Sequence, residues 1–167
     1  MIASASHELV GSMSDIVWAI NPQKDHLSDL VQRMRRFASE VLEARNIELR
    51  FRAPGSDQDV RVGASIRREV FLVFKESVNN LARHSHCREA DIEFSLENDT
   101  LALRLRDDGR GFDPSRESDG HGLVSMRERA RAIGGLLELT SAPDQGTTIT
   151  LQVPLDQPNS NSQTMPT

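Results

Sequence analysis

The residues of this chain best suited to chemistry fall in four short stretches. Glu76 and Asn80 stand one helical turn apart within Glu-Ser-Val-Asn-Asn-Leu-Ala-Arg-His, residues 76–84, and Arg83 and His84 extend the same polar stripe. Asp107 opens Asp-Asp-Gly-Arg-Gly-Phe-Asp at 107–113, Gly120 and Gly122 bracket His121 ahead of Leu123, and Thr147 follows Gly146. A carboxamide oxygen is a neutral, hard donor that suits a magnesium ion already carrying phosphate oxygens and waters, which makes Asn80 the candidate metal ligand. Glu76, one turn back, can accept from a metal-bound water or orient an attacking nucleophile. Arg83 can neutralise phosphate charge, with a surface role as its alternative.

Asp107 stands at the end of a strand, where a carboxylate can accept from an exocyclic amino group and so select adenine over guanine. Gly109 and Gly111 admit backbone with positive φ and close approach to a flat base. Gly120 and Gly122 precede a helix, whose free N–H groups and positive dipole end suit phosphate oxygens. The Thr147 hydroxyl is placed to bridge to the base through water. Each feature alone has an ordinary explanation: a solvated helix face, a tight Asp-Gly turn, a glycine loop. Their order along one short chain points to a nucleoside triphosphate site. Gly-x-x-x-x-Gly-Lys-Ser/Thr occurs nowhere, so the site is not a Walker loop.

Positioning these groups requires a particular set of elements. Ile2, Ala5, Leu9, Met13, Ile16, Val17 and Ile20 predict a helix over 3–20, broken at Asn21-Pro22. Leu30, Val31, Met34, Phe37, Ala38, Val41 and Leu42 predict the buried stripe of a helix from about Leu27 to Arg45. A half-buried strand follows through Ile47, Leu49 and Phe51, then a turn at 54–57. Ser65 reads as the N-cap of a long helix to about His84, with Val70, Val73, Phe74, Ser77, Val78 and Leu81 on its core face. Strands near 90–97 and 101–107 pair around Asn98-Asp99-Thr100. A glycine- and serine-rich loop at 109–120 leads to a helix from Gly122 to Ile133, stopped by Gly134-Gly135. A last hairpin joins 136–141 to 147–153. This order gives an α+β, two-layer sandwich with helices on one face of the sheet. From Gln157 the tail lacks apolar residues and reads as disordered.

Composition narrows the partners. The 167 residues suffice for one domain and an appendage. A formal charge of -5 argues against nucleic acid. Arg33, Arg35 and Arg36 read as a solvated helix face. Cys87 is the only cysteine, so no disulfide framework or cysteine-based zinc cage exists, and His84 and His86 lie too close to it for a tetrahedral site. No run of 18 apolar residues occurs and no signal peptide opens the chain, which predicts a cytoplasmic location for this stretch and leaves open a membrane anchor elsewhere in a longer protein.

Residues 65–154 resemble the catalytic ATP-binding domain of sensor histidine kinases, in the superfamily that also holds the ATP-binding part of DNA gyrase, heat-shock protein 90 and the mismatch-repair ATPase. Asp-Asp-Gly-Arg-Gly-Phe-Asp, Gly-His-Gly-Leu at 120–123 and Ser-Met-Arg-Glu-Arg-Ala at 125–130 are most similar to the nitrate-sensor subfamily. The resemblance implies a Bergerat fold, ATP and magnesium as ligands, and transfer of the γ-phosphoryl group to a histidine of a dimerisation domain in a homodimer, then to the receiver domain of a response regulator. It implies that Asn80 carries the magnesium, Glu76 acts on the reaction's polar side, Asp107 meets the adenine amino group, and Gly109, Gly111, Gly120 and Gly122 line the base and phosphates. Residues 1–22 then resemble the remnant of a dimerisation helix, 23–155 the catalytic domain and 156–167 a tail.

His7-Glu8-Leu9-Val10-Gly11 imitates a phosphoacceptor element, but only about 21 Å of single helix separates His7 from Pro22, too little for an antiparallel hairpin. The acceptor is expected upstream of this chain. An anti-sigma-type serine kinase or a nucleotide-binding regulatory module of the same fold is the alternative, and the amphipathic leading helix with its Trp-Ala-Ile-Asn-Pro ending favours the histidine kinase.

Overall fold

The computed structural model describes residues 21–116 and 121–155, with Ser14, Val17 and Trp18 ahead of them. Most of the helix expected over 3–20, including His7, lies outside the described residues, as do Gly120 and the tail from 156.

The chain enters through a 3-10 turn, Pro22–Lys24, capped by the Asn21 side chain, which accepts from Gln23 N–H at 3.0 Å. Helix α1, Leu27–Glu43, buries Leu27, Leu30, Met34, Ala38 and Leu42 at three- and four-residue steps. Val31, Phe37 and Val41 are only partly buried, because the stripe is narrower than the apolar content of the helix. Helix α2, Ala64–His84, buries all six residues expected of it together with Phe71 and Arg67. Its start differs from the expectation: Gly63 is the N-cap, no side chain caps the helix, and Ser65 is an exposed residue of the first turn. Helix α3, His121–Ala132, ends where Gly135 N–H donates to the Ala130 carbonyl at 2.8 Å.

Five strands, β1 (Glu48–Arg52), β2 (Glu89–Glu97), β3 (Thr100–Asp107), β4 (Leu136–Ser141) and β5 (Thr147–Pro154), form one sheet in the order β1-β2-β3-β5-β4. The β1–β2 pair is parallel, since the whole of α2 lies between those strands, and the others are antiparallel. Asn98 and Asp99, both at positive φ, make the two-residue turn between β2 and β3.

Alternation separates the faces. Ile92, Phe94, Leu101, Leu103, Leu105, Ile149, Leu151 and Val153 are buried on the inner face. The outer face of β1 and β2 carries ion pairs such as Arg50–Glu89 at 3.2 Å and Arg52–Glu93 at 3.5 Å, exposed enough to contribute little each. The architecture is the expected α+β two-layer sandwich. Arg33 departs from the solvated reading: it is partly buried, its guanidinium 4.9 Å from the Trp18 ring centroid and 5.2 Å from that of Phe71, whereas Arg35 and Arg36 are exposed. Among the described residues no helix is long and apolar enough to cross a membrane.

Candidate functional site

The acid and the amide of α2 meet the first turn of α3. Glu76 and Asn80 are half-buried, and a Cβ placed on Gly122 would lie 2.6 Å from Glu76 Oε1 and 3.7 Å from Asn80 Nδ2. Glycine there lets the backbone of α3 approach both side chains. The helix starts at His121, one residue before the expected start, so Gly122 is its second residue. Two further contacts hold α3 along α2: Ser77 Oγ lies 3.3 Å from Met126 Sδ, and Arg129 Nη1 lies 2.9 Å from Glu69 Oε2. The free N–H groups of the first turn of α3 therefore stand beside a carboxylate and an amide.

The opposite end is built on the sheet. Asp107, at the end of β3, is 6% exposed, and its Oδ1 accepts from Gly109 N–H at 2.9 Å. Burial raises its pKa above the usual carboxylate range, the Gly109 and Thr147 N–H groups pull it back, and Asp108 pushes it up a little further. Its neighbour behaves oppositely: Asp108 turns outward and accepts from Arg88 and Glu89 N–H at 2.8 and 2.9 Å, and these bonds, Glu89's first, lower its pKa.

Tight backbone contacts shape the loop after Asp107. Gly111 and Gly146 both have positive φ, and a Cβ on either would overlap a carbonyl oxygen, of Ala142 and of Asp107 respectively. Gly109 does not need positive φ, contrary to expectation; a side chain there would instead overlap the Ser85 carbonyl, which accepts from Arg110 N–H at 2.8 Å. Asp144 N–H donates to the Arg110 carbonyl at 2.6 Å, tying the loop to the β4–β5 turn.

The structure thus brings Glu76, Asn80 and Gly122 together in one cluster and Asp107, Gly109, Gly111 and Thr147 in a second. Leu123 is partly buried against the core, while Arg83 and His84 are exposed in the last turn of α2. Ser85 and Ser141 are neighbours of the candidate site that sequence reasoning missed. Ser141 had a signal, since it stands opposite Thr147 in the last hairpin. Ser85 sits beyond the end of α2, and only the fold brings it to the loop. No group of three His, Cys, Asp or Glu side chains able to hold a metal occurs among the described residues. A cation at Asn80 would take the rest of its shell from phosphate oxygens and water, the arrangement magnesium favours.

A family model described as "Histidine kinase-, DNA gyrase B-, and HSP90-like ATPase" matches residues 65–157. The chain belongs to that family. It is similar to the sensor protein VraS of Staphylococcus haemolyticus, at 35% identity over 106 residues, and to that of Staphylococcus aureus, at 36% over 104. These matches cover 63% and 62% of this chain and 30% of each relative, so the chain spans about a third of the length of the relatives it matches. Among solved structures, the histidine kinase domain of a blue-light-activated kinase from Erythrobacter litoralis superposes with a TM-score of 0.65 at 20% identity, over 75% of this chain and 61% of that one. The Acinetobacter baumannii histidine kinase AdeS gives 0.65 at 15% identity, over 93% and 81%. At such identities the likeness establishes the ATPase fold, and the fold matches the one read from the order of elements.

Proposed function

We propose that this chain is the ATP-binding catalytic region of a two-component sensor histidine kinase, with residues 23–155 as the catalytic domain, 1–22 as the end of a dimerisation helix and 156–167 as a tail. One observation carries the reading. A family whose description is ATPase supplies the fold, and on it a buried carboxylate and an acid–amide pair each stand against a glycine-bearing turn, which supports reading them as the base end and the phosphate end of one nucleotide site. Asp107 accepts from the adenine amino group and Thr147 supports it. Gly109 and Gly111 keep the base side open, and Gly120, Gly122, Leu123, Arg83 and His84 serve the phosphates. Asn80 holds magnesium, which supplies charge neutralisation on the triphosphate.

In the reaction, an imidazole nitrogen of an acceptor histidine outside this chain attacks the γ-phosphorus, the bond to the ADP oxygen breaks, and Glu76 orients the imidazole and takes up its proton. The phosphoryl group then passes to an aspartate of a receiver domain. The acceptor belongs to a homodimeric longer protein, cytoplasmic in this part. Subfamily motifs at 107–113 and 120–130 favour the nitrate-sensor branch.

Titration with a fluorescent ATP analogue, with and without magnesium, tests the assignment. Magnesium-dependent binding that is lost in Asn80→Ala is expected; full binding by that variant sinks the catalytic reading. Adding an upstream segment that carries a histidine should yield acid-labile phosphate, and acid-stable phosphate would instead mark a serine kinase.

A further inference from the structure

The inner faces of three strands end in a row of polar side chains. Asp107 stands directly opposite Thr147, and Thr147 directly opposite Ser141, so the three project side by side from one face of the sheet. Ser141 is the junction. Its Oγ accepts from Phe112 N–H at 2.9 Å, donates to the Gly146 carbonyl at 3.1 Å and lies 2.9 Å from Thr147 Oγ1.

A hydroxyl has one proton and two lone pairs, and a carbonyl oxygen can only accept. The Ser141 proton therefore goes to Gly146, and its lone pairs take the Phe112 N–H and the Thr147 O–H. The only hydroxyl proton of Thr147 is thus committed to Ser141. Thr147 Oγ1 turns lone pairs alone toward the space beside Asp107, and the ionised Asp107 carboxylate likewise only accepts.

We propose that Ser141 is a specificity-determining residue for the nucleotide base. By fixing Thr147 as an acceptor next to Asp107, it makes the inner end of the site acceptor-only. Such an end matches a purine with a 6-amino group, directly or through a water that donates inward, and mismatches a 6-oxo purine. This inference rests on the proposed nucleotide function and deepens it. Ser141 acts through Thr147, as a positioning residue, and does not itself touch the base.

The test measures Kd for ATP and for inosine triphosphate, by competition with a fluorescent ATP analogue, on the whole 167-residue chain. In Ser141→Ala the freed Thr147 proton can reach a 6-oxo group, and the ratio of the inosine to the ATP Kd should fall roughly three- to tenfold. Ser141→Thr, which keeps the hydroxyl, should hold the wild-type ratio. In a Thr147→Val background the Ser141→Ala change should move the ratio by less than about twofold, because the group it acts through is gone. Ser141→Cys, which keeps the bulk but bonds weakly, should shift the ratio the same way if Ser141→Ala does not fold. An unchanged ratio with a general loss of affinity would show a merely structural serine and overturn the proposal, as would an equal shift in the Thr147→Val background. A wild-type chain that binds neither nucleotide would sink the nucleotide reading, and this inference with it.

Discussion

Arg67 and Asp107 are both buried charges, and they are served in opposite ways. Arg67 is 2% exposed, and its Nη1 donates to the backbone carbonyls of Asn21 and Lys24, residues more than forty positions earlier in the chain. Its guanidinium also lies 5.9 Å from the centroid of the Trp18 ring, which packs 6.0 Å from that of Phe71. These partners of Arg67 all lie in residues 18–24, ahead of α1. Asp107 accepts only two backbone N–H groups and keeps lone pairs toward the space beside Thr147. Desolvation raises its pKa, whereas Arg67, whose Nε is buried without a partner, is held through Nη1 and its ring contact by the segment that precedes α1. The arginine is a clasp, and the aspartate is the contact point of the proposed site.

The sharpest way to break that contrast is to remove each charge and read stability and binding separately. Arg67→Ala should lose about 3 kcal/mol of stability, since a large buried side chain goes and two carbonyls lose their donor. Thermal or chemical denaturation measures this. Fluorescence of Trp18, the only tryptophan, should shift toward a solvated spectrum. ATP affinity of the folded variant should stay within about twofold, because nine helical steps, about 13.5 Å, separate position 67 from Glu76. A large loss of ATP affinity in a folded Arg67→Ala chain would erase the distinction. Asp107→Asn should do the reverse. Loss of a charge-assisted acceptor should raise the ATP Kd at least about tenfold, while stability changes by less than about 1 kcal/mol.

The contrast also marks what could be read in advance. Asp107 stood out only by its order with the acid–amide pair and the glycine loops, since alone Asp-Asp-Gly reads as a tight turn, and helical spacing puts Glu76 and Asn80 on one face of α2. The hairpins followed from alternation and turn residues. Arg67 was illegible: an arginine followed by Arg68 and Glu69 early in an amphipathic helix predicts a solvated side chain, and only the contact with residues 18–24 buries it. The same tertiary contact accounts for Arg33, expected on a solvated face and found against Trp18 and Phe71. The start of α2 was misplaced for a local reason, as serine is a common cap but here the glycine ahead of it takes that position. The parallel pairing of β1 and the role of Ser141 depend on which strands adjoin, which periodicity does not record.

Adjacent Asp107 and Asp108 sharpen the comparison through pH. The folded chain holds the Asp107 proton to a higher pH than the unfolded chain does, so this group's contribution to stability is greatest at low pH. It declines as pH rises from the ordinary aspartate range through the raised folded value. Asp108, lowered in the folded state, contributes stability above the ordinary range that is lost as pH falls through its own lower value. The stability of Asp107→Asn relative to the wild type should therefore increase as pH rises through the window above the ordinary aspartate range, then level off. Urea denaturation at a series of pH values reads this slope, and a difference that runs the other way would mean that Asp107 is stabilised as a carboxylate without ligand. ATP affinity of the wild type should fall on acidification through the same window, because only the ionised group accepts freely, and the Asn variant should show no such titration.

The smallest expected effect lies at the other end of the site. A Cβ on Gly122 meets the end of the flexible Glu76 side chain and not backbone, so Gly122→Ala should displace a carboxylate without disturbing the fold. Alanine in place of glycine near the start of α3 adds helix propensity of up to about 1 kcal/mol, which offsets the contact, and the melting temperature should stay close to wild type. The magnesium-dependent part of ATP affinity should drop only about two- to threefold, while phosphoryl transfer to a supplied histidine segment falls further, since Glu76 is the group moved. Equal losses in binding and transfer would place Gly122 among the phosphate contacts alone and would leave Glu76 without a role that depends on its position.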